Sequence, residues 1–207
     1  MLMQLNQNQT GKSVGQGIVA SAGEYGELLV SELQARYYEW VYRGLVFTAA
    51  NTSAQATSTG PNSTATGLIL SNPAGSGVNA VILDASIAIA SLPAGAATLV
   101  WAANVNPIGA ATTHTIALAP QSALLGSGKK SACFADSSAT LPAAPTIVRP
   151  IGGGPAATVA SSTAFPPFIR DEVAGGLIVT PGCAISIQSI TTAVSIMASI
   201  LWAEIPV

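Results

Sequence analysis

Charged residues are the scarcest class in this chain. Lysine and arginine number 7 and aspartate and glutamate 9, so charged residues make up 8% of the sequence, against about 25% in an average globular protein. The formal net charge is −2, and no charged residue occurs between Asp84 and Lys129. Nucleic-acid binders need a basic face, so this composition argues against a nucleic-acid partner. It predicts a surface buried against copies of the chain or another protein; the alternative is a surface covered by serine and threonine hydroxyls.

Long apolar runs are also missing, although hydrophobic residues make up 49% of the chain. Glycine and proline interrupt even the best candidate for a membrane-spanning stretch, residues 173–187, whereas a membrane-spanning helix needs about 20 mostly apolar residues. The first thirteen residues lack the apolar segment of a signal peptide. The sequence therefore predicts no membrane partner. In a chain without a secretion signal, the two cysteines, Cys133 and Cys183, are expected to be buried thiols, with a disulfide between them left open.

The chain divides by composition into an arm and a body. Residues 1–24 are polar, rich in glutamine, asparagine and glycine, and without periodicity, which predicts an N-terminal arm; residues 25–207 form the body. In the body, residues 27–35 predict a short helix or irregular turn, because apolar residues recur there at helical spacing. Aromatic and β-branched residues then favour a strand at 38–49, with Gly44 as a bulge.

Beyond residue 50 the sequence reads as short strands separated by glycine, proline and polar turns. The closing strand is apolar on both faces and is therefore predicted to be central, with Ile196, Ile200 and Trp202 buried. Short strands without long intervening helices predict an all-β protein, an antiparallel β-sandwich or jelly roll carrying an extended N-terminal arm. The predicted strands are 67–71, 78–91, 97–104, 112–119, 145–150, two strands within 175–190 divided at Pro181-Gly182, and 193–205.

The longest predicted strand, 78–91, alternates strongly enough to predict which face it buries. Its apolar face is expected to carry Val81, Leu83, Ala85, Ile87 and Ile89.

Two stretches resemble phosphate-binding loops and are not predicted to be such loops. "NPAGSG" at 72–77 lies between two predicted strands, whereas a phosphate loop needs a helix N-terminus behind its glycines. We interpret it as a hairpin turn. "GKS" at 11–13 follows no apolar strand and belongs to the arm. We therefore expect no cofactor.

Catalytic signals are weak. The chain has a single histidine, His114, which excludes sites built on two or three histidines. A Ser-His-Asp triad would need it beside one of three aspartates, Asp84, Asp136 or Asp171. Its place in an alternating strand instead indicates a structural or surface residue.

Paired carboxylates are equally scarce. Asp171 and Glu172 are adjacent, but glycosidase chemistry would need a second acid across a cleft, and Glu204 is the only candidate on the same predicted sheet. We expect Asp171 and Glu172 to cap a loop and pair with Arg170 or Arg149. Lys129-Lys130 is interpreted as a solvated loop tip. The sequence thus predicts no catalytic, cofactor-binding or metal site, and no enzyme.

Four stretches together carry a family resemblance: residues 36–51, 67–90, 168–187 and 201–207. Their succession of strands and turns resembles structural proteins of tailed bacteriophages, and in particular small jelly-roll proteins that decorate or cement capsids, often as trimers. The resemblance implies a virion protein on the capsid exterior, made in the host cytoplasm. Its implied partners are the major capsid protein and further copies of itself, most simply as a homotrimer.

The alternative is a tail or fibre module that binds a receptor or a glycan. A glycan binder should expose aromatic residues in loops, but Trp40, Trp101 and Trp202 all fall in predicted strands. This favours a scaffold, in which residues 1–24 would act as the docking arm to the shell.

Overall fold

The structure is a computed structural model that describes residues 36–105, 109–154, 156 and 168–207, together with the backbone of 4–6 and 17–19. The chain forms two compact units, Met1–Tyr38 and Glu39–Val207. In the first, strands β1 (Gln4–Asn6) and β2 (Gly17–Val19) pair antiparallel. The rest of the predicted arm, and the helix or turn predicted at 27–35, lie outside the described residues.

The predicted strand at 38–49 is wrong in its first half. A short helix, α1, occupies Tyr38–Tyr42, and the strand β3 begins only at Val46 and ends at Ala50. Gly44, with φ 67°, is a helix cap and not a bulge: its N–H bonds the carbonyl of Val41, and the N–H of Leu45 bonds the carbonyl of Trp40. This pair of bonds is a Schellman motif, which needs a left-handed residue at its centre.

The second unit is an antiparallel β-sandwich, which confirms the predicted fold class. Sheet A has six strands in the order β11-β7-β14-β5-β10-β8, and sheet B has the order β12-β6-β15-β3-β9, with β13 also on β6 and β4 also on β15. The strands not yet bounded are β4 (Gln55–Ala56), β5 (Thr64–Asn72), β6 (Val78–Ser91), β7 (Ala97–Asn104), β8 (Thr113–Leu118), β9 (Gln121–Ser122), β10 (Phe134–Thr140), β11 (Thr146–Gly154), β12 (Phe168–Asp171), β13 (Leu177–Val179), β14 (Cys183–Ser189) and β15 (Ser195–Pro206).

Most of the predicted strands are confirmed, and β15 is central in sheet B as expected, between β6 and β3. The sequence missed β1 and β2 in the predicted arm, the two-residue strands β4 and β9, and also β10 and β12. Strand β10, with the sequence FADSSAT, has few of the β-branched and aromatic residues that indicate a strand. It is a strand because it lies between β5 and β8 in the sheet.

The core lies between the two sheets. Trp101 on β7 and Trp202 on β15 both have 0% exposed surface, and the ring of Trp202 stacks on Phe47 with centroids 6.3 Å apart. Ile196 and Ile200 are buried beside them, as predicted. The other large core side chains come from both sheets: Leu68, Leu70, Leu99, Ile185 and Ile187 from sheet A, and Ile82, Ile87 and Ile89 from sheet B.

The predicted buried face of β6 is half wrong. Ala85, Ile87 and Ile89 do face the core, but in the first half of the strand the core residues are Ala80 and Ile82. The pairing with β15 skips Leu83, since Leu201 opposes Asp84 and Trp202 opposes Ile82. Such a bulge shifts the alternation by one residue. Val81 is therefore only partly buried, and Leu83, although only 1% exposed, lies outside this core cluster.

The "NPAGSG" stretch is not a hairpin turn, because β5 belongs to sheet A and β6 to sheet B. It is a crossover between the sheets. Asn72 is fully buried, and its Nδ2 donates to the carbonyls of Val78 and Val179 at 2.8 Å each. These bonds attach the crossover to β6 and β13. A strand follows the glycines, so the geometry of a phosphate loop is absent here.

Candidate functional site

Three side chains, of which two are ionised, connect the two sheets at one side of the sandwich. Nη2 of Arg149 on β11 lies 2.6 Å from both oxygens of Asp171 on β12. The indole Nε1 of Trp101 donates to the same carboxylate at 2.6 Å. The predicted pairing of Asp171 with Arg149 is confirmed, and both carboxylate oxygens are occupied by bonds that hold sheet A to sheet B.

A second ion pair lies within sheet B. Arg170 on β12 donates from Nε to Asp84 on β6 at 2.7 Å, a pairing that the sequence did not predict. Glu172 is exposed in the turn after β12.

Glu204 on β15 is buried and accepts four hydrogen bonds. Its Oε1 accepts from the hydroxyl of Ser131 at 2.5 Å and from Nε1 of Trp202 at 3.1 Å. The backbone N–H of Ala132 donates to Oε2 at 3.0 Å, and the backbone N–H of Cys133 donates to Oε1 at 3.3 Å. This carboxylate therefore fixes the segment before β10 to the central strand of sheet B.

His114 lies on β8, the last strand of sheet A, and its Nδ1 is 2.8 Å from Oδ2 of Asp136 on β10. The histidine is partly exposed, as predicted. Among the described residues, no serine hydroxyl bonds the imidazole, so the structure brings together two members of a triad without the third.

Both cysteines are free thiols and both are buried, which confirms the expectation and leaves no disulfide between them. The pKa of Cys133 is raised by burial, and further by the charge of Glu204 and a hydrogen bond to it. The Sγ of Cys183 lies 3.3 Å from the hydroxyl of Thr180. The raised pKa of Cys133 disfavours its thiolate, which is the reactive form of a cysteine.

The remaining sequence candidates are scattered. Lys129 and Lys130 are exposed in a loop as expected, and Nζ of Lys129 donates to the carbonyl of Arg43 at 2.5 Å. Trp40 lies in α1 and not in a strand, and is 39% exposed.

The "GKS" stretch lies outside the described residues. So does the longer form GKSVG at 11–15, which has the G-x-S-x-G spacing of a nucleophile elbow; that motif needs a preceding strand, and the polar residues before it do not predict one.

Exposed apolar side chains lie at both edges of sheet A, which are formed by its outermost strands, β11 and β8. At one end, β11 exposes Ile147 and Val148; we call these two residues the β11 edge. Beside it, Val105 and Ile178 are also exposed. A concavity of about 410 Å³, lined also by residues of β7, β13 and β14, contains Val105, Val148 and Ile178 and has no charged residue in its lining.

At the opposite end, β8 exposes Ile116 and its neighbour β10 exposes Phe134; we call these two residues the β8 edge. Phe134 also lines a second concavity of about 460 Å³ under the loop at 119–131, where Leu125 has 85% of its surface exposed. No periodicity signalled these surfaces, because the sequence does not tell which strands end a sheet. They are the strongest candidates for a functional surface in the described part of the chain.

Comparison of the chain with protein-family models, with curated proteins and with solved structures finds no match. Within the described ranges, no three histidine, cysteine, aspartate or glutamate side chains gather as metal ligands. No helix in the same ranges is long and apolar enough to cross a membrane.

Proposed function

We propose that this protein is a structural protein of a tailed-bacteriophage virion that decorates or cements the capsid. It would bind on the capsid exterior at junctions between major capsid subunits and associate with copies of itself as a homotrimer. The family resemblance of four stretches of the sequence suggests this role. The β-sandwich fold is compatible with it.

The observation that carries the proposal is the pair of apolar edges at opposite ends of sheet A. Ile147 and Val148 at the β11 edge and Ile116 and Phe134 at the β8 edge are each between 43% and 50% exposed. Scattered exposed hydrophobic residues are ordinary, but Ile147, Val148 and Ile116 lie on the outermost strands of sheet A, whose free backbone groups can pair with another chain. Phe134 lies on β10, the strand next to β8. A protein so poor in charge gains solubility when such edges are covered.

The positions of the edges suggest how copies would associate. The two ends differ in sequence, so contact between the β8 edge of one copy and the β11 edge of the next is head-to-tail, and such contacts generate a closed ring when the rotation closes. A stable interface buries about 800 Å² per partner, which needs surface around both edges as well. Val105 and Ile178 would extend the β11 side.

The carboxylates that a hydrolase would need are all bonded to other groups of the fold, and this supports a non-enzymatic role. Asp84 and Asp171 are held by arginines, and Glu204 is held by four donors. All of these bonds except the one from Trp202, which lies on the same strand as Glu204, join different elements of the sandwich, so the carboxylates are used to stabilise the fold.

The proposal is tested by decoration of empty capsids. Purified protein is incubated with undecorated heads of the phage that encodes it, and bound protein is measured by co-sedimentation and imaging of the particles. We expect saturable binding at a fixed ratio to the major capsid protein. Binding to tails or host cells in place of heads would favour the alternative, a receptor- or glycan-binding module. Trp101 and Trp202 are fully buried and do not support that alternative, whereas Trp40 in α1 is 39% exposed.

Two variants separate self-association from docking. Val148→Glu places a charge on the β11 edge and should shift the sedimentation mass from trimer toward the monomer of 20.6 kDa, whereas Thr52→Glu, at an exposed bend, should not. Removal of residues 1–24 should leave the oligomer intact but abolish binding to heads, because the paired strands β1 and β2 of the arm have outer backbone edges that can pair with a strand of the partner. Undiminished decoration by this shortened protein would contradict the arm's role.

A further inference from the structure

His114 and Asp136 form a pair that joins a buried carboxylate to a solvent-accessible imidazole. Asp136 has 0% exposed surface, and its Oδ1 has no hydrogen-bond partner among the described residues. Its Oδ2 lies 2.8 Å from Nδ1 of His114, whose side chain keeps 31% of its surface exposed. The carboxylate is therefore incompletely bonded, while the imidazole can exchange protons with solvent.

The surroundings of Asp136 leave His114 as its one ionisable neighbour in the described structure. Strand β10 has no other ionisable residue, and of its two neighbours β5 has none and β8 has only His114. The next strand, β14, contributes only the thiol of Cys183. Ile69, which opposes Asp136 on β5, belongs to an apolar cluster with Ala65, Ala139, Leu141 and Ala184, against which Ala111 packs.

These surroundings set the direction in which protonation acts. Burial raises the pKa of Asp136, and the hydrogen bond and charge of His114 offset that rise in part. A raised pKa in the folded state means that the stabilising contribution is fully present below the unfolded value, about 3.9, and is lost as pH rises through the folded value. The ring of Phe134, with its centroid 4.8 Å from that of His114, lies within the distance at which an aromatic ring attracts a cation.

We infer that the His114–Asp136 pair is a pH-sensitive latch on the edge strand β8. Proton uptake by the pair neutralises the buried carboxylate and holds β8 to β10; proton loss leaves a net negative charge inside the sheet and loosens β8. Strand β8 responds first because it is the last strand of sheet A and has β10 as its one neighbour in that sheet. Local opening of this kind affects weakly held edges before the core.

Amide hydrogen exchange of the intact protein at pH 4, 5, 6.5 and 8, corrected for intrinsic exchange rates, tests the latch. We expect protection of β8 amides, relative to those of the central strand β14, to fall about tenfold as the pH rises from 4 to 8 through the raised pKa of Asp136. Constant relative protection of β8 over this range would overturn the inference.

Two variants distinguish the latch from ordinary fraying of an edge. Asp136→Asn keeps the shape and removes the charge, so its β8 protection should not depend on pH; the same pH dependence as in the unmodified protein would count against the latch. His114→Gln keeps the carboxylate and removes its protonatable partner, so β8 should be less protected than in the unmodified protein at pH 5 and 6.5, with β14 unchanged. If His114→Gln matches the unmodified protein at both pH values, the pair does not hold the strand.

Discussion

Glu204 offers the sharpest test of how the sandwich is held together, through the substitution Glu204→Gln. The amide has nearly the same shape as the carboxylate, but one of its two terminal atoms becomes a donor. In the less costly orientation the amide nitrogen replaces Oε2 and faces the N–H of Ala132, now 3.0 Å away. Two donors then oppose each other, while Oε1 keeps Ser131, Cys133 and Trp202 but without its charge.

The magnitude follows from the bonds lost. A hydrogen bond to a charged acceptor contributes about 1.5–3 kcal/mol, and a buried donor left without a partner costs about 1–3 kcal/mol. Removing a buried charge offsets part of this cost. We therefore expect the free energy of unfolding to fall by about 2–4 kcal/mol, which for a unit of this size lowers the melting temperature by about 4–16 °C.

The assay is thermal and urea unfolding of the purified protein at neutral pH, with Glu39→Gln as the control. That exposed glutamate pairs with Arg43 on the surface of α1, so the same chemical change there should alter stability by less than about 1 kcal/mol. If Glu204→Gln is as stable as the unmodified protein, the four bonds do not carry the free energy assigned to them, and the attachment of the loop before β10 depends on its apolar contacts.

Three further changes test the core, a close backbone approach and a buried thiol. Trp202→Ala removes the largest side chain of β15 from a fully buried site, and urea unfolding should show a loss of about 3–5 kcal/mol; an unchanged midpoint would mean that Trp202 does not fill the core. Gly67→Ala should destabilise by about 1–3 kcal/mol more than Gly75→Ala, because both glycines have φ near 120° but only at Gly67 would the new Cβ lie 2.8 Å from a backbone carbonyl of β14; equal melting temperatures of the two variants would contradict this. Native Cys133 should resist iodoacetamide at pH 8, because burial and Glu204 raise its pKa; prompt labelling detected by mass spectrometry would show that the thiol is accessible.

The sequence was most informative where the signal is local. Alternation of apolar residues predicted β6 and β7 at their observed bounds, and Pro181-Gly182 marked the break between β13 and β14. The two-sided apolar character of β15 predicted its central position. The same local signals failed at residues 38–45, because helical i,i+4 pairing of Glu39 with Arg43 and the glycine cap outweighed the preference of aromatic residues for strands.

The sequence could not predict the candidate surfaces or the polar pairs. His114 and Asp136, or Glu204 and Ser131, are 22 and 73 residues apart, and no spacing rule joins residues at such distances. Only the strand order brings each pair together.

By itself, then, the sequence determined an all-β chain of short strands with little charge, because alternation and turn chemistry act over a few neighbouring residues. The tertiary structure decided which strands share a sheet, turned "NPAGSG" from a hairpin into a crossover, and shifted the buried face of β6 by one residue at Leu83. It also decided that β8 and β11 end sheet A with apolar side chains exposed. Strand pairing depends on residues far apart in the sequence, because whole faces pack against one another, and a one-residue bulge within β6 is enough to change which side chains face the core.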